Sequence, residues 1–320
     1  MAIHNVPNRN FRTNKQQDDV APTDTHDHRT AAYSSDCVVG EASRPDGASA
    51  SIDRFEFGEN WKRFLNRVDE GRIERAIESL QTLLGMDTLR DKRFLDLGSG
   101  SGLFSLAAHR LGAIVTSVDY DPQCVACTQE IRQRLADRSG DWDIIPGDAL
   151  DESFMQSLGR FDVVYSWGVL HHTGDMHTAI ANASEAVQTG GTIALAIYND
   201  MGGSTRRWKR IKVLYHRLPR WLRPILVGIV ATFYETKFAL ARLASGKNPL
   251  PMNDWAAKQD DRGMSVWHDW VDWVGGLPFE AATPETIIGP LLDRGFELTR
   301  LSTTRGWGCN EFVFRRKQPL

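Results

Sequence analysis

Residues 94–102 read FLDLGSGSG, and no other stretch constrains the fold as tightly. A short apolar run ends in an acid, Asp96. Glycines follow at alternate positions, Gly98, Gly100 and Gly102, with Ser99 after the first. Leu103, Phe104, Leu106 and Ala107 then recur at helical spacing. The pattern predicts a strand, a tight turn and a helix start. Glycine suits such a turn because it accepts backbone conformations that side chains resist and lets a ligand approach the main chain.

The spacing separates two ligand classes. A turn that seats a pyrophosphate reads G-x-G-x-x-G, and counted from Gly98 its last glycine falls on Leu103. Here the third glycine arrives one residue early. Asp96 would repel a pyrophosphate and attract an amine. A ligand with an ammonium group, a ribose and a base fits better than a dinucleotide, and S-adenosylmethionine is such a ligand.

The following segments extend the pattern. The β-branched run 114–118 ends in Asp119, followed by Tyr120. That acid lies about 20 residues past the turn, where a carboxylate at the tip of the second strand holds ribose hydroxyls. A third strand, 142–145, leads to Gly147-Asp148-Ala149, and Asp148 is placed to accept from an adenine amino group. A fourth, FDVVYS at 161–166, runs into Trp167-Gly168-Val169-Leu170-His171-His172. A fifth, 192–198, follows a turn expected at Gly190-Gly191. Strands alternating with helices imply a parallel sheet, with ligands beyond its carboxyl ends. Asp96, Asp119, Asp148 and His171 all fall at such ends.

With these motifs the chain resembles the class I S-adenosylmethionine-dependent methyltransferases, closest to the quinone-biosynthesis-like small-molecule branch. The closing elements fit as well: Thr283-Pro284-Glu285 opens a helix, and 295–298 and 310–314 start the last strands. The resemblance spans about 94–198 and 278–315. It implies an α/β Rossmann-like fold: a seven-stranded, mostly parallel sheet with helices on both faces, and a helical cap inserted after strand five. It also implies that Asp96, Gly98, Ser99, Gly100, Gly102, Asp119, Tyr120, Asp148, Ala149 and Trp167 bind the cofactor.

Composition divides the chain. Residues 1–52 are polar with few large apolar groups and are expected to form a disordered tail. Residues 53–92 read as an N-terminal helical extension, 93–199 as the cofactor-binding core, 200–277 as the cap, and 278–320 as the closing part of the core. Within the extension, Trp61 is either a lid residue over the cofactor or a packing residue that staples the helix to the core. The net charge of −3 exerts no global pull toward nucleic acid. Four cysteines make no disulfide framework, and nothing reads as a secretory signal, so a cytoplasmic enzyme is expected. Cys124 and Cys127 lack a second pair for zinc and read as core or half-buried thiols.

The acceptor should be decided by the cap. It carries Arg206, Arg207, Lys209, Arg210, Lys212, Arg217, Arg220 and Arg223 with no acid among them. An apolar patch follows at 225–234, read as shorter than the ~20 residues a bilayer span needs. The basic run suits a membrane surface, a phosphate-bearing lipid or an RNA backbone, or it is a solvated face with Trp208, Ile211, Leu214 and Tyr215 turned inward. Further on, Trp267, Trp270 and Trp273 recur every third residue, and Asp272 lies four after His268. The tryptophans either line an acceptor pocket or pack the cap onto the core.

Sulfonium methyl transfer needs nucleophile, methyl carbon and sulfur in line, so positioning does most of the work. A hydroxyl acceptor also needs a base. His171 and His268 are the candidates, with Asp272 or Asp269 orienting the latter. Of the adjacent His171 and His172, an extended segment would turn only one toward substrate. His172, Tyr198, Asn199, Trp267 and Trp270 are acceptor-contact candidates. Metal ligation by these histidines lacks a ligand spacing and is not expected. The expected activity is O-methylation of a small molecule, aromatic or lipid-linked. RNA methylation through 206–223, or cofactor binding without turnover, are the other readings.

Overall fold

A computed structural model describes residues 68–136, 141–246, 248 and 266–318. The expected tail and Trp61 lie outside them. Helix α1 (Glu70–Leu84) opens on Asp69, whose carboxylate accepts the Arg72 amide at 2.9 Å, and ends on left-handed Gly85. Ile73, Ala76, Leu80 and Leu84 recur along one side and are buried.

The core alternates strand and helix. It comprises β1 (Arg93–Leu97), α2 (Leu103–Arg110), β2 (Ile114–Asp119), α3 (Pro122–Leu135), β3 (Trp142–Pro146), α4 (Glu152–Ser157), β4 (Phe161–Trp167), α5 (Met176–Glu185) and β5 (Val187–Tyr198). The cap supplies α6 (Gly203–Arg217), α7 (Arg223–Ala244) and α8 (Val266–Gly275), and α9 (Pro284–Asp293), β6 (Phe296–Ser302) and β7 (Cys309–Arg316) complete the core. The seven strands lie in the order β3-β2-β1-β4-β5-β7-β6, and β7 alone runs antiparallel to its neighbours. The expected Rossmann-like architecture with its cap after strand five is what forms.

Strand alternation divides the core into two layers. Leu95, Val164, Ile193 and Phe314 face a cluster shared with α4, α5 and α9. Their neighbours Phe94, Val163, Ala194 and Val313 face the cluster of α1, α2 and α3. Cys124 and Cys127 are buried and form no disulfide.

Three expectations need correction. Gly190 and Gly191 do not form a turn before β5; they lie inside it, where the register against β4 shifts. Gly190 takes φ +75, and a Cβ on Gly191 would lie 2.9–3.0 Å from three backbone carbonyl oxygens. Glycine here admits an irregularity within a strand rather than ending it.

The inward face of α6 also differs. Trp208 and Tyr215 are buried, but Leu214 is 45% exposed and Lys212 is the residue turned inward. Finally, the apolar patch is part of a longer helix. The segment Arg220–Ala244 is long and apolar enough to cross a membrane by length and composition. The flanking Ala, Thr and Leu residues extend α7 well past the patch.

Candidate active site

The glycine turn is built by three left-handed residues, with φ of +81, +55 and +80 at Gly98, Gly100 and Gly102. The amides of Gly98 and Ser99 donate to the Val118 carbonyl at 2.7 and 3.2 Å, tying the turn to β2. The Ser99 and Thr128 hydroxyls bond at 3.0 Å. Gly98 and Gly102 are needed for space as well. A Cβ on Gly98 would sit 2.4 Å from both methyls of Val169, and one on Gly102 would meet Ile131 and Thr128. The segment that follows β4 therefore packs directly on the turn.

Asp119 closes the turn from the neighbouring strand tip. Its Oδ2 accepts the Gly100 amide at 2.8 Å and its Oδ1 accepts the Asp121 amide at 2.9 Å. Burial pushes its carboxyl up to about 6 against those hydrogen bonds. Each oxygen retains acceptor capacity, so the carboxylate can still take hydroxyl donors. Asp148, at the β3 tip, accepts the Leu150 amide at 3.0 Å, with Ala149 beside it. Tyr120 projects from the same rim and is 57% exposed.

Asp96 behaves differently from its neighbours. It is 2% exposed, and its Oδ2 accepts the Ser105 hydroxyl at 2.5 Å. Ser105 and Ser117 are 2.6 Å apart, and the Trp142 indole donates to Ser117 at 2.8 Å. Each hydroxyl has one proton, so the relay runs one way, from Trp142 through Ser117 and Ser105 to Asp96. Burial raises the Asp96 carboxyl to about 7, with Asp119 adding to the rise and Ser105 opposing it. Nothing in the local sequence marks this relay, because its members come from four elements.

A glycine turn, a diol-accepting carboxylate and two further acids at adjacent strand tips suit a cationic nucleoside. Three carboxylates would oppose a pyrophosphate. The donor and acceptor set therefore fits S-adenosylmethionine.

The histidines sit on the other side of the Val169 contact. Residues 170–172 form a 3₁₀ turn instead of an extended segment. Their centroids are 4.6 Å apart, and Tyr198 lies 3.9 Å from His171 and 5.4 Å from His172. His171 is fully buried. Its Nδ1 accepts the Tyr198 amide at 3.4 Å, which leaves the proton on Nε2, a buried atom with no partner in the protein. His172 has the opposite tautomer. Its Nδ1 lies 2.6 Å from the Pro278 carbonyl, which can only accept, so the basic lone pair is on Nε2. Burial holds both rings below the usual imidazole range, His172 at about 4. The base assigned to His171 thus has its acceptor nitrogen committed to the backbone, whereas His172 is tied to the Pro278 carbonyl through Nδ1.

The cap meets this corner through aromatic contacts. Tyr198 packs on Trp273 and Phe279, each at 5.7 Å between centroids. Lys212 is 1% exposed beneath them and donates to the Trp273 carbonyl, with its ammonium 4.8 Å from the Phe279 ring. Four residues along, His216 Nε2 bonds the Gly275 carbonyl at 2.6 Å. Together they satisfy carbonyls at the C-terminal end of α8, which sequence reading of a basic run could not reveal. Burial lowers the Lys212 ammonium to about 7, while Asp272 supports its charge.

Several acceptor and catalytic candidates fall elsewhere. The Asn199 amide donates to the Thr304 and Gly306 carbonyls and accepts from Asn310, so it holds the β6–β7 loop. The tryptophan stripe splits, because residues three apart rotate by about 60° per step around a helix. Trp267 is 45% exposed, whereas Trp270 is buried and donates to Glu235 at 3.1 Å. Trp167, expected against the cofactor, donates its indole N–H to Glu311 on β7 at 3.1 Å. The side chains of His268 and Asp269 lie outside the described residues. Asp272 supports the charge of Lys212. Among the described residues no His, Cys, Asp and Glu cluster suited to a metal is present.

Residues 68–241 match the methyltransferase domain family. The chain is 30% identical over 176 residues to a ubiquinone biosynthesis O-methyltransferase of Methylobacterium nodulans, covering 50% of this chain and 68% of that protein. It is 32% identical over 114 residues to the Coxiella burnetii protein of the same name, covering 35% of this chain and 46% of that one. A magnesium protoporphyrin IX methyltransferase from Synechocystis superposes with TM-score 0.48 at 16% identity, over 81% of this chain and 94% of that one. The chain belongs to the methyltransferase domain family and is a class I S-adenosylmethionine-dependent methyltransferase.

Proposed function

We propose that this enzyme methylates a hydroxyl of a small aromatic or lipid-linked acceptor, with a histidine taking the proton. The observation that carries the reading is the packing of Val169 on Gly98, which puts the His171–His172 turn beside the cofactor turn. Tyr198 and Phe279 supply flat apolar walls there. The O-methyltransferase relatives support an oxygen acceptor.

S-adenosylmethionine, when bound, supplies a methyl group already activated on sulfur. Asp119 would hold the ribose hydroxyls and Asp148 the adenine edge, with Asp96 lending negative charge toward the amine. His172 would take the proton from the acceptor hydroxyl, and the cofactor would supply the methyl group that this oxygen receives from sulfur. A neutral His172 is available at physiological pH because its imidazolium is disfavoured by burial and by the Lys212 charge. His171 positions the corner by bonding the Tyr198 amide.

A methyl-transfer screen with catechols, quinols, phenols, lipid-linked phenols, amines and RNA tests the reading. Mass spectrometry locates the new methyl group. An O-methylated phenol or quinol is expected. Transfer confined to nitrogen or to RNA would refute the assignment.

A further inference from the structure

We propose that α6 and α7 form a membrane-docking surface that lies in the plane of an anionic bilayer. The outward face of α7 carries Ile225, Ile229, Phe233, Leu240 and Leu243, each between 54% and 64% exposed, with Trp221 at 72% just ahead of the helix. Spacings of four, four, seven and three put these side chains on one side of the helix. Isolated exposed apolar residues are ordinary, but a continuous stripe this long marks an interaction surface.

Charge selects the occupant. No acid occurs between Asp200 and Glu235. The outer side of α6 bears a groove of about 400 Å³ lined by Arg206, Lys209, Arg210, Val213, Leu214 and Arg217. Arg220 and Arg223 flank Trp221, and Lys237 lies farther along α7. An apolar face bordered by cations, with a tryptophan at the boundary, matches a lipid surface whose headgroups are negative. A second protein copy, carrying the same cations, would bring like charges together.

Although α7 has the length of a span, its other face is committed. Val227, Val230 and Tyr234 are buried in the cap cluster. Tyr234 packs on Trp208 at 5.0 Å and on Trp307 at 4.9 Å, and Glu235 accepts from Trp270. Crossing a bilayer would strip those contacts, whereas lying flat keeps them and buries only the free stripe. The inner faces of α6 and α7 join one cluster, so both outer stripes lie on the outside of one cap.

The test is flotation of the full-length protein with vesicles of phosphatidylcholine alone and of phosphatidylcholine mixed with phosphatidylglycerol. Binding to the mixed vesicles, weakened by salt and released by a carbonate wash, is expected. Phe233→Asp with Ile229→Asp, and separately Arg206→Glu with Arg210→Glu, should each lower the bound fraction by about tenfold or more while leaving circular dichroism unchanged. Equal binding by wild type and both variants, or no binding to anionic vesicles, would overturn the proposal. So would protein retained in the bilayer after the wash, which indicates a span. A dimer in light scattering that Phe233→Asp dissolves, without vesicle binding, would assign the stripe to a second copy instead.

Discussion

Asp119 joins two strand tips through one side chain: its Oδ2 accepts the Gly100 amide at 2.8 Å, and its Oδ1 accepts the Asp121 amide at 2.9 Å. The carboxylate that would hold the ribose is therefore also what shapes the cofactor turn. Asp119→Ala should weaken S-adenosylhomocysteine binding by about tenfold or more, the loss expected for charge-assisted hydrogen bonds. Titration calorimetry measures it, and unchanged affinity would exclude Asp119 from the site.

Gly98 and Gly168 form a matched pair for testing the turn. Both have positive φ, +81 and +78, but only Gly98 faces Val169, while a Cβ on Gly168 would meet nothing within 4 Å. Gly98→Ala should cost about 2–4 kcal/mol from backbone strain and overpacking together. Gly168→Ala should cost only the backbone part, ~1–2 kcal/mol. Urea unfolding of the two variants gives the comparison, and equal losses would contradict the Val169 contact.

Asp96 makes stability depend on pH in an unusual direction for a carboxylate. Its folded pKa is raised from 3.8 to about 7, so between those values the folded state binds more protons than the unfolded one. Its contribution is therefore most favourable at and below the lower value and is lost as pH rises toward the upper one. Asp96→Asn, which cannot ionise, should gain stability relative to wild type as pH rises from about 5 to 8, by on the order of 2 kcal/mol. Denaturant titrations at the two pH values check this. A gain that does not grow with pH would mean that Asp96 is ionised in the folded protein throughout.

His172 and His171 should respond differently to substitution. His172→Ala is expected to lower kcat by about 100-fold with little change in cofactor affinity, the usual contribution of a positioned base. His171→Ala should chiefly lower stability by emptying a packed corner against Tyr198. With His172 held at about 4, the acid limb of kcat/KM should fall well below the ordinary imidazole range, near that value. Single-turnover rates and a pH profile separate the two histidines. A larger kcat loss in His171→Ala would reverse the roles.

Much of the core was legible because its signals are local. This glycine turn needs left-handed residues at alternate positions, and 98–102 spells them out. Buried parallel strands need unbroken apolar runs, and acids at strand ends mark the rim where Asp119 and Asp148 stand. The misreadings arose where a residue's partner is distant in the chain. Lys212 read as one more solvated cation, yet its ammonium serves the Trp273 carbonyl of α8, 61 residues away. Asn199 read as an acceptor contact, yet its amide is occupied by loop residues more than 100 positions on.

The amino-acid sequence alone determined the sheet, the cofactor turn and the type of donor, because periodicity and backbone conformation are properties of neighbouring residues. Tertiary structure alone decided which nitrogen of His171 and His172 keeps its lone pair, since the Tyr198 amide and Pro278 carbonyl reach them from other elements. It also decided which side of α7 is left apolar and uncovered, since burial of Val227, Val230 and Tyr234 depends on tryptophans brought from α6, α8 and the β6–β7 loop. Proton placement and exposure are set by what packs against a group, and that information exists only once the chain has folded.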